Sequence, residues 1–304
     1  MQVVDHEEGQ RLDNYLLRTL NGVPKTRIYK AIRKGEVRVN KGRSKPETKL
    51  VAGDTIRLPP FQEQQRPTSQ AASHFWVDQL RQATVHNDNH LLVINKPSGL
   101  AVHGGSGITA GLIETLRIMY PEQRYLELVH RLDRDTSGLI MVAKRASVLR
   151  DLHAQLRSDG IDKRYQALVF GRWPAHLRSI DAPLEKFSLS SGERRVKVSA
   201  EGRKSLTQYR VLSRWRQATL VEAKPVTGRT HQIRVHCRHA NRPILGEQKY
   251  AIPESELLAQ QLGLGRLFLH AAKLSFELDG ARVTLEAPLP PELLTCCRAL
   301  GEEL

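Results

Sequence analysis

The chain has 304 residues, of which 47 are Lys or Arg and 32 are Asp or Glu, so its formal net charge is +15. An excess of this size predicts a polyanionic partner, nucleic acid above all, and the hydrophobic share of 40% excludes a disordered chain. The sequence contains no apolar run of the roughly 18 residues that a membrane span needs, so we expect no membrane partner.

The cysteines and the opening residues predict the compartment. Cys237, Cys296 and Cys297 are odd in number and form no CxxC pair, which argues against a disulfide framework and a zinc ribbon. The opening segment, MQVVDHEEGQ, lacks the basic and then apolar pattern of a secretion signal. We therefore expect a cytoplasmic protein, and its length favours about two domains.

The first predicted elements are two short helices followed by small strands. Apolar residues recur at helical spacing from Leu12 to Leu20. A second helix carries Ile28 and Ile32 on its inner face and ends at Gly35. The segments VRVN, KGR and GDTIRLPP then predict short strands joined by turns.

A basic segment overlaps the second helix. Between Lys25 and Lys49 there are ten basic and two acidic residues, a net charge of +8. Three of these cations avoid the apolar helix face and are able to point together at a phosphate backbone; a merely solvated face is the alternative. The RNA-binding candidates of this segment are Lys25, Arg27, Lys30, Arg33, Lys34, Lys41 and Arg43.

The segments RLDNYL, KTRIYKAIRKGEVRVN and GDTIRLP resemble the S4 domain, a small RNA-binding module of helices and strands. The resemblance implies RNA binding without catalysis for residues 1–60. Residues 61–74 are rich in Gln, Ser and Pro and predict a flexible linker. Residues 75–304 contain many short apolar strands and few long helices, which predicts a larger domain and an α+β fold class.

The densest charged stretch is VHRLDRDTSGLIMVAK, which begins at Val129. It places Arg131 and Asp133 directly before a Thr-Ser-Gly turn and an apolar strand. Charged residues at the end of a buried strand either belong to a site or form a turn capped by Asp135 and Thr136, and the residues alone leave both possibilities open.

A second charged cluster, VTGRTHQIRVHCRH, begins at Val226. We interpret it as a strand, in which His231 and His236 lie on opposite faces, so no metal site is expected. Alternation places Arg234 on the face of His236, beside the strand that carries Asp133. An arginine there would hold the carboxylate by charge and hydrogen bonds; an ordinary structural ion pair is the alternative.

Between the two clusters, DKRYQALVFG predicts an apolar strand with Tyr165 near its start. The tyrosine is either a core residue or a platform on which a base stacks.

The segments HRLDRDTSG, KRYQALV and GRTHQIRVH occur in the order and at the separations that resemble the RluA family of pseudouridine synthases. NHLLVINKPSGLAVH and NRPILGEQKY resemble two further segments of that family, so the likeness extends from Val85 to about Pro290. SGERRVKVSAEGRKSLTQYRV resembles an insertion of its large-subunit ribosomal RNA group. Glu247 departs from the family pattern, in which Asp is commoner, and we expect little effect.

The resemblance implies a mixed, mainly antiparallel catalytic sheet and the isomerisation of uridine to pseudouridine without cofactor or nucleotide. By motif position, Asp133 is the catalytic carboxylate and Arg234 its partner. Tyr165 stacks on the uracil or takes part in proton transfer. Arg131 fills the gap that a flipped-out uridine leaves, and Arg229 is a further RNA-binding candidate and the second choice for the pairing role.

The resemblance to the large-subunit group, together with the basic segment, favours 23S ribosomal RNA as the substrate. Two alternatives stay open: the same chemistry on tRNA, and a non-catalytic RNA-binding or ribosome-assembly factor. The presence of Asp133, Tyr165 and Arg234 together disfavours the non-catalytic alternative. We expect a monomer.

Overall fold

The computed structural model describes residues 2–3, 8–20, 23, 25–61, 70–104, 111–190 and 192–301, without the side chains of residues 18, 25 and 70–74. The chain divides into two compact units, Met1–Gln70 and Ala71–Leu304. In the described residues no helix has the length and apolar character that crossing a bilayer requires.

The first unit contains the two helices and three small strands that the sequence predicts. They are α1 (Leu12–Thr19), α2 (Lys25–Lys34), β1 (Arg38–Val39), β2 (Gly42–Arg43) and β3 (Ile56–Arg57). The strands form an antiparallel sheet in the order β2-β1-β3. Leu16 of α1 and Ile28 and Ile32 of α2 are buried in one hydrophobic cluster, because their spacing places them on one face of each helix.

The second unit is built around one large sheet. Its elements are α3 (Gln70–Gln82), β4 (Thr84–Asn87), β5 (Leu91–Lys96), α4 (Leu112–Met119), β6 (Glu127–Leu128), β7 (Ser137–Ala143), α5 (Ala146–Arg157), β8 (Asp162–Phe170), β9 (Ser179–Asp181), β10 (Leu184–Ser188), β11 (Arg194–Val198), β12 (Leu206–Arg214), β13 (Ala218–Pro225), α6 (Gln232–His239), α7 (Pro253–Gln261), β14 (Leu269–Leu278), β15 (Ala281–Glu286) and α8 (Pro291–Gly301).

The large sheet is mixed and mainly antiparallel, and the predicted α+β class is confirmed. Eight strands follow the order β4-β5-β7-β14-β8-β13-β12-β9, while β15 pairs with β14 and β6 with β7. The pair β7–β14 is parallel, and the other described strand pairs are antiparallel. β10 and β11 form a separate hairpin; β11 lies in the segment that resembles the family insertion, and β10 precedes that segment.

The parallel junction of β7 with β14 lies next to the Asp133 loop. Its register pairs Ser137 with His270 and Gly138 with Ala271. Gly138 has φ +110°, and a Cβ atom there would collide with the backbone of Ala271. Only glycine permits this close approach of the two strands, which explains why the Thr-Ser-Gly segment has glycine at position 138.

The structure differs from the expected secondary structure at two places. The backbone of residues 70–74, assigned to the flexible linker, is helical because α3 begins at Gln70, and residues 62–69 lie outside the described residues. The segment from Gln232 to His239 is helix α6 instead of a strand. Its residues Gln232 to Cys237 are all buried, so an apolar stripe that would indicate a helix is missing from the sequence.

Candidate active site

Asp133 and Arg234, 101 positions apart in the chain, meet in the second unit. Asp133 lies in the loop between β6 and β7, where the N–H of Thr136 donates to its carbonyl oxygen and closes the turn. Nη1 of Arg234 on α6 donates to Asp133 Oδ2 at 3.2 Å. In the described part of the chain, Asp133 Oδ1 has no hydrogen-bond partner. The pair predicted from the sequence is therefore present, with one carboxylate oxygen left open.

Glu247 is the stronger partner of Arg234. Nε and Nη2 of Arg234 donate to its two carboxylate oxygens at 2.7 Å each, and both side chains are almost fully buried. Burial alone would lower the pKa of Arg234, but Glu247 and Asp133 outweigh it and raise the pKa. Burial alone would raise the pKa of Glu247, but Arg234 lowers it. The Arg234 guanidinium therefore stays positively charged, is held in place by Glu247 and contacts Asp133.

The helical form of α6 changes which side chains share a face. Gln232 and His236, one turn apart, both contact the Thr207 hydroxyl, at 3.0 and 2.9 Å. Arg234, between them in sequence, points to Glu247 and Asp133 instead. The expected common face of Arg234 and His236 is therefore wrong, although the expected pairing with Asp133 is present. In the residues that the structure describes, no group of three or more His, Cys, Asp or Glu is arranged to hold a metal.

The Asp133 side of the pair opens into a cleft of about 630 Å³. Tyr165 near the start of β8 lines it together with the apolar side chains of Leu132, Ile233 and Leu269. The tyrosine ring packs against two hydrophobic clusters. Burial, and then the negative charge of Asp133, raise the pKa of its phenol. Tyr165 thus lines the cleft of Asp133 with an aromatic ring and a hydroxyl whose pKa is raised.

Arg131 and Arg229 lie at the exposed rim of the same cleft. Nε of Arg229 donates to the carbonyl oxygen of Lys204 at 3.1 Å. The sequence offered Arg229 as the second choice for pairing with Asp133. In the structure Arg234 takes that place instead. In the described residues Arg131 forms neither an ion pair nor a side-chain hydrogen bond, so its guanidinium is available to an incoming ligand.

The loop that carries Asp133 is held from behind by Lys96, whose side chain is fully buried at the end of β5. Its Nζ donates to the carbonyl oxygens of Pro97, Leu100 and Arg134 at 2.9, 2.8 and 3.1 Å. Burial lowers the pKa of Lys96 to about 7, with a further contribution from the charge of Arg266. The hydrogen bond from Lys96 to Arg134 ties the residue that follows Asp133 to the end of β5.

Polar contacts across the β7–β14 junction also support the loop. The Ser137 hydroxyl lies 2.9 Å from Nδ1 of buried His270, and Nη2 of Arg266 donates to it at 2.6 Å. Nε2 of His270 donates to the carbonyl oxygen of Ala287 at 3.1 Å. Burial lowers the pKa of His270 to about 4, so the imidazole is neutral. Ser137 donates to Nδ1, which fixes this tautomer.

The basic candidates of the first unit are mostly exposed. Lys30, Arg33, Lys34, Lys41 and Arg43 are at the surface. Arg27 is different, because it forms an ion pair with Glu36 at 2.6 Å and lies over the ring of Phe61. The side chain of Lys25 lies outside the described residues, although its backbone begins α2.

Sequence reasoning missed two polar residues of the site. The sequence indicates only a minor departure at Glu247, whereas its carboxylate binds Arg234 through two hydrogen bonds. The sequence suggests no role for His231 beyond a rejected metal site, whereas its Nε2 faces Asp133 Oδ2 at 3.8 Å. The signal for Glu247 was an acidic residue beside Gly246, at a position where the family also carries a carboxylate.

Comparison with known proteins gives a consistent result. Residues 90–239 match the family model described as RNA pseudouridylate synthase, and residues 10–56 match the S4 domain. The chain is 54% identical to ribosomal large subunit pseudouridine synthase C of Yersinia pestis over 297 residues, 97% of this chain and 93% of that one. It is 52% identical to the protein of that name in Escherichia coli (strain K12) over 299 residues, 97% of this chain and 94% of that one.

Two solved human structures also resemble the chain. RNA Pseudouridylate Synthase Domain Containing 4 has a TM-score of 0.65 at 26% identity, covering 76% of this chain and 98% of that one. RNA Pseudouridylate Synthase Domain Containing 1 has a TM-score of 0.59 at 26% identity, covering 70% and 86%.

Proposed function

This chain belongs to the RNA pseudouridylate synthase family, and from that premise we propose that it isomerises uridines of large-subunit ribosomal RNA, with Asp133 as the catalytic carboxylate. The observation that carries the proposal is the Asp133–Arg234 pair at the wall of a cleft. The names of the relatives support the large-subunit substrate.

The reaction breaks the bond from N1 of uracil to C1′ of the ribose, turns the base and joins C5 to C1′. The hydrogen of C5 is lost and one is gained at N1, so the change is redox-neutral. Asp133 Oδ1 is the oxygen that acts on the nucleoside, because Oδ2 is engaged by Arg234. A carboxylate can act as a nucleophile or stabilise a cationic sugar, and Arg234 keeps it aimed at the cleft in either case.

We assign Tyr165 to the uracil ring. Its aromatic face in the cleft supports stacking on the base. The raised pKa of its hydroxyl supports a role as a hydrogen-bond donor, since the phenol keeps its proton near neutral pH.

The uridine has to leave its helix before it reaches Asp133, at a cost of a few kcal/mol. We propose that Arg131, exposed at the cleft rim and two residues before Asp133, occupies the gap that the base leaves. Arg229 on the same rim contacts the RNA backbone. Exposure of both side chains supports these roles.

The first unit holds the RNA without taking part in the chemistry. Exposed Lys30, Arg33 and Lys34 on α2, with Lys41 and Arg43, are proposed phosphate contacts, since phosphate contacts supply most of the affinity of such modules. Arg27 contributes less because Glu36 neutralises it, and Lys25 is retained as a candidate from the sequence.

We further propose a monomer in the cytoplasm, acting without a nucleotide cofactor. The substrate and the three unbridged cysteines support that compartment. The proposed organisation is an RNA-binding domain over residues 1–60, a linker over 61–74 that ends in the first turn of α3, and a catalytic domain over 75–304.

The decisive experiment incubates the protein with unmodified 23S transcript and maps pseudouridine by carbodiimide labelling and reverse-transcription stops. We expect new stops with the wild type and none with Asp133→Asn, whose RNA affinity stays within about tenfold because phosphate contacts dominate binding. Asp135→Asn is the matched control, since Asp135 pairs with Arg134 instead. No stops with the wild type would overturn the proposal, and stops on tRNA alone would overturn the substrate.

A further inference from the structure

His231 lies immediately before α6 and has a left-handed backbone, with φ 54° and ψ 20°. Residues with a side chain adopt this conformation at a cost of about 1–2 kcal/mol, so the surroundings hold it there. The conformation directs the imidazole into the Asp133 cleft. Nε2 is 3.8 Å from Asp133 Oδ2, too far for a hydrogen bond between the two.

The other ring nitrogen fixes the tautomer. Nδ1 of His231 is 2.6 Å from Oη of Tyr250, and the same Oη accepts a hydrogen bond from the N–H of Val196 at 3.1 Å. The Tyr250 hydroxyl has a single proton. Among the described residues, Nδ1 of His231 is the acceptor within reach of that proton, so the hydroxyl donates to Nδ1. Nδ1 then accepts, and the hydrogen of the neutral imidazole is on Nε2, facing the carboxylate.

The charges around His231 favour this neutral form. Burial is the main cause of its lowered pKa. The negative charges of Asp133 and Glu247 raise this pKa in part, and the positive charges of Arg234 and Lys249 lower it further. A protonated imidazole at this place would form an ion pair with Asp133 and compete with the substrate for it. A neutral donor leaves the carboxylate free.

We propose that His231 is a further catalytic residue that donates its Nε2–H to a carbonyl oxygen of the uracil, with Tyr250 as its positioning residue. The inference rests on the proposed function, since the acceptor belongs to the flipped uridine. No proton is transferred in this interaction.

The chemistry explains why a donor is useful there. When the bond from N1 to C1′ breaks, its electron pair stays on the uracil and is shared with the carbonyl oxygens. Addition of a carboxylate to the ring also sends charge to a carbonyl oxygen. A fixed donor aimed at such an oxygen stabilises the transition state more than the ground state. The negative charge of Asp133 nearby makes this stabilisation necessary.

The β10–β11 hairpin keeps Tyr250 in place. Val196, whose N–H holds the Tyr250 hydroxyl, belongs to β11. Beside it, Glu193 pairs with Nζ of Lys249 at 2.7 Å, and Nη1 of Arg195 donates to the carbonyl oxygen of Lys249 at 3.0 Å. The hairpin therefore acts on the reaction through Tyr250 and His231.

Two amides of different length test the donor. In His231→Gln the side-chain N–H reaches the place of Nε2, whereas in His231→Asn, which tolerates a left-handed backbone, it reaches only the place of Nδ1. On 23S transcript we expect His231→Asn to lose about 10²-fold in kcat with little change in KM, and His231→Gln to recover about tenfold of that loss. His239→Asn, at the exposed end of the same helix, is the control with wild-type kcat.

Tyr250→Phe tests the positioning. Without the hydroxyl, Nδ1 takes a proton more easily, so we expect the acidic limb of the kcat profile to move to higher pH. Wild-type kcat in His231→Asn, or equal losses in the Asn and Gln variants, would overturn the donor role. An unmoved profile in Tyr250→Phe would overturn the role of Tyr250. A wild-type protein that forms no pseudouridine would instead refute the proposed function, which separates the two failures.

Discussion

Arg234 contacts Asp133 through Nη1 alone, because its Nε and Nη2 donate to Glu247 at 2.7 Å each. The bidentate contact sets the plane of the guanidinium and directs a single N–H at the cleft. Glu247 thus decides where Arg234 points, and Arg234 decides where Asp133 points.

Removal of Glu247 is expected to destabilise the protein strongly. In Glu247→Ala the buried Arg234 loses its main partner, and breaking a buried ion pair costs about 3–5 kcal/mol in the free energy of unfolding. Urea denaturation measures this loss. The control is Glu286→Ala, which removes an ion pair with Lys273 of the same 2.7 Å length but with side chains 66% and 39% exposed. In Glu286→Ala the loss of unfolding free energy is expected to stay below about 1 kcal/mol. Equal losses in the two variants would show that burial does not make the Glu247–Arg234 pair more important than an exposed one.

The pH dependence of the Glu247 contribution has a definite sign. Since Arg234 lowers the pKa of Glu247 in the folded state, the stabilisation is present above the ordinary carboxyl value and is lost as pH falls through the lower folded value. The stability difference between wild type and Glu247→Gln is therefore expected to shrink as pH falls from about 5 to about 3. A difference that grows on acidification would contradict the ion pair.

The small helices and strands of the first unit and the α+β class of the second could be predicted from the sequence because strand patterns and turns are local, whereas the mixed, mainly antiparallel sheet was expected from the resemblance. Strand alternation suggests the Asp133–Arg234 pair but is the wrong geometry for α6, and the resemblance is what assigns the pair, since local patterns do not report which side chains meet 101 positions apart. Helix α6 was predicted as a strand because Ile233, Val235 and Cys237 alternate with polar residues. All of them are buried, so the polar residues were satisfied internally instead of marking a solvent face.

His270 is expected to make stability fall in mild acid. Its pKa is lowered by burial to about 4 from an ordinary 6.5, so between these values the unfolded chain binds a proton that the folded chain does not. Stability then rises with pH by about 1.4 kcal/mol per pH unit for one such group. His270→Gln is expected to reduce the slope of unfolding free energy against pH by about that amount.

Urea denaturation from about pH 4 to 6.5 measures the slope. The control is His176→Gln, which removes an exposed histidine instead of a buried one. An unchanged slope in His270→Gln would mean that the imidazole is charged in the fold.

The cations of α2 are expected to contribute to RNA affinity through salt-dependent contacts. A triple variant, Lys30→Gln, Arg33→Gln and Lys34→Gln, removes three exposed charges. Each lost phosphate contact reduces the slope of log affinity against log salt by about 0.7–0.9, so we expect a total reduction of about two to three. Filter binding of the full chain to a 23S fragment at several salt concentrations provides the measurement.

Arg27→Gln on the same helix is the matched control for that triple variant. Its charge is already neutralised by Glu36 at 2.6 Å, so the salt slope is expected to change by less than about 0.5. If the single variant changed the slope as much as the triple one, the assignment of the three exposed cations would be wrong.

Gly138→Ala is expected to disrupt the junction on which the Asp133 loop depends. Gly138 has φ +110°, and a Cβ atom would collide with the backbone of Ala271 on β14. Gly280→Ala separates conformational strain from collision, since Gly280 has φ +78° but nothing within 4 Å of a Cβ atom. Strain alone costs about 1–2 kcal/mol, whereas forcing the strands apart is expected to exceed about 4 kcal/mol in unfolding free energy. Because Ser137 and Asp133 move with the strand, Gly138→Ala should also lose pseudouridine formation at temperatures where it is folded, and full activity there would show that the junction does not position the carboxylate.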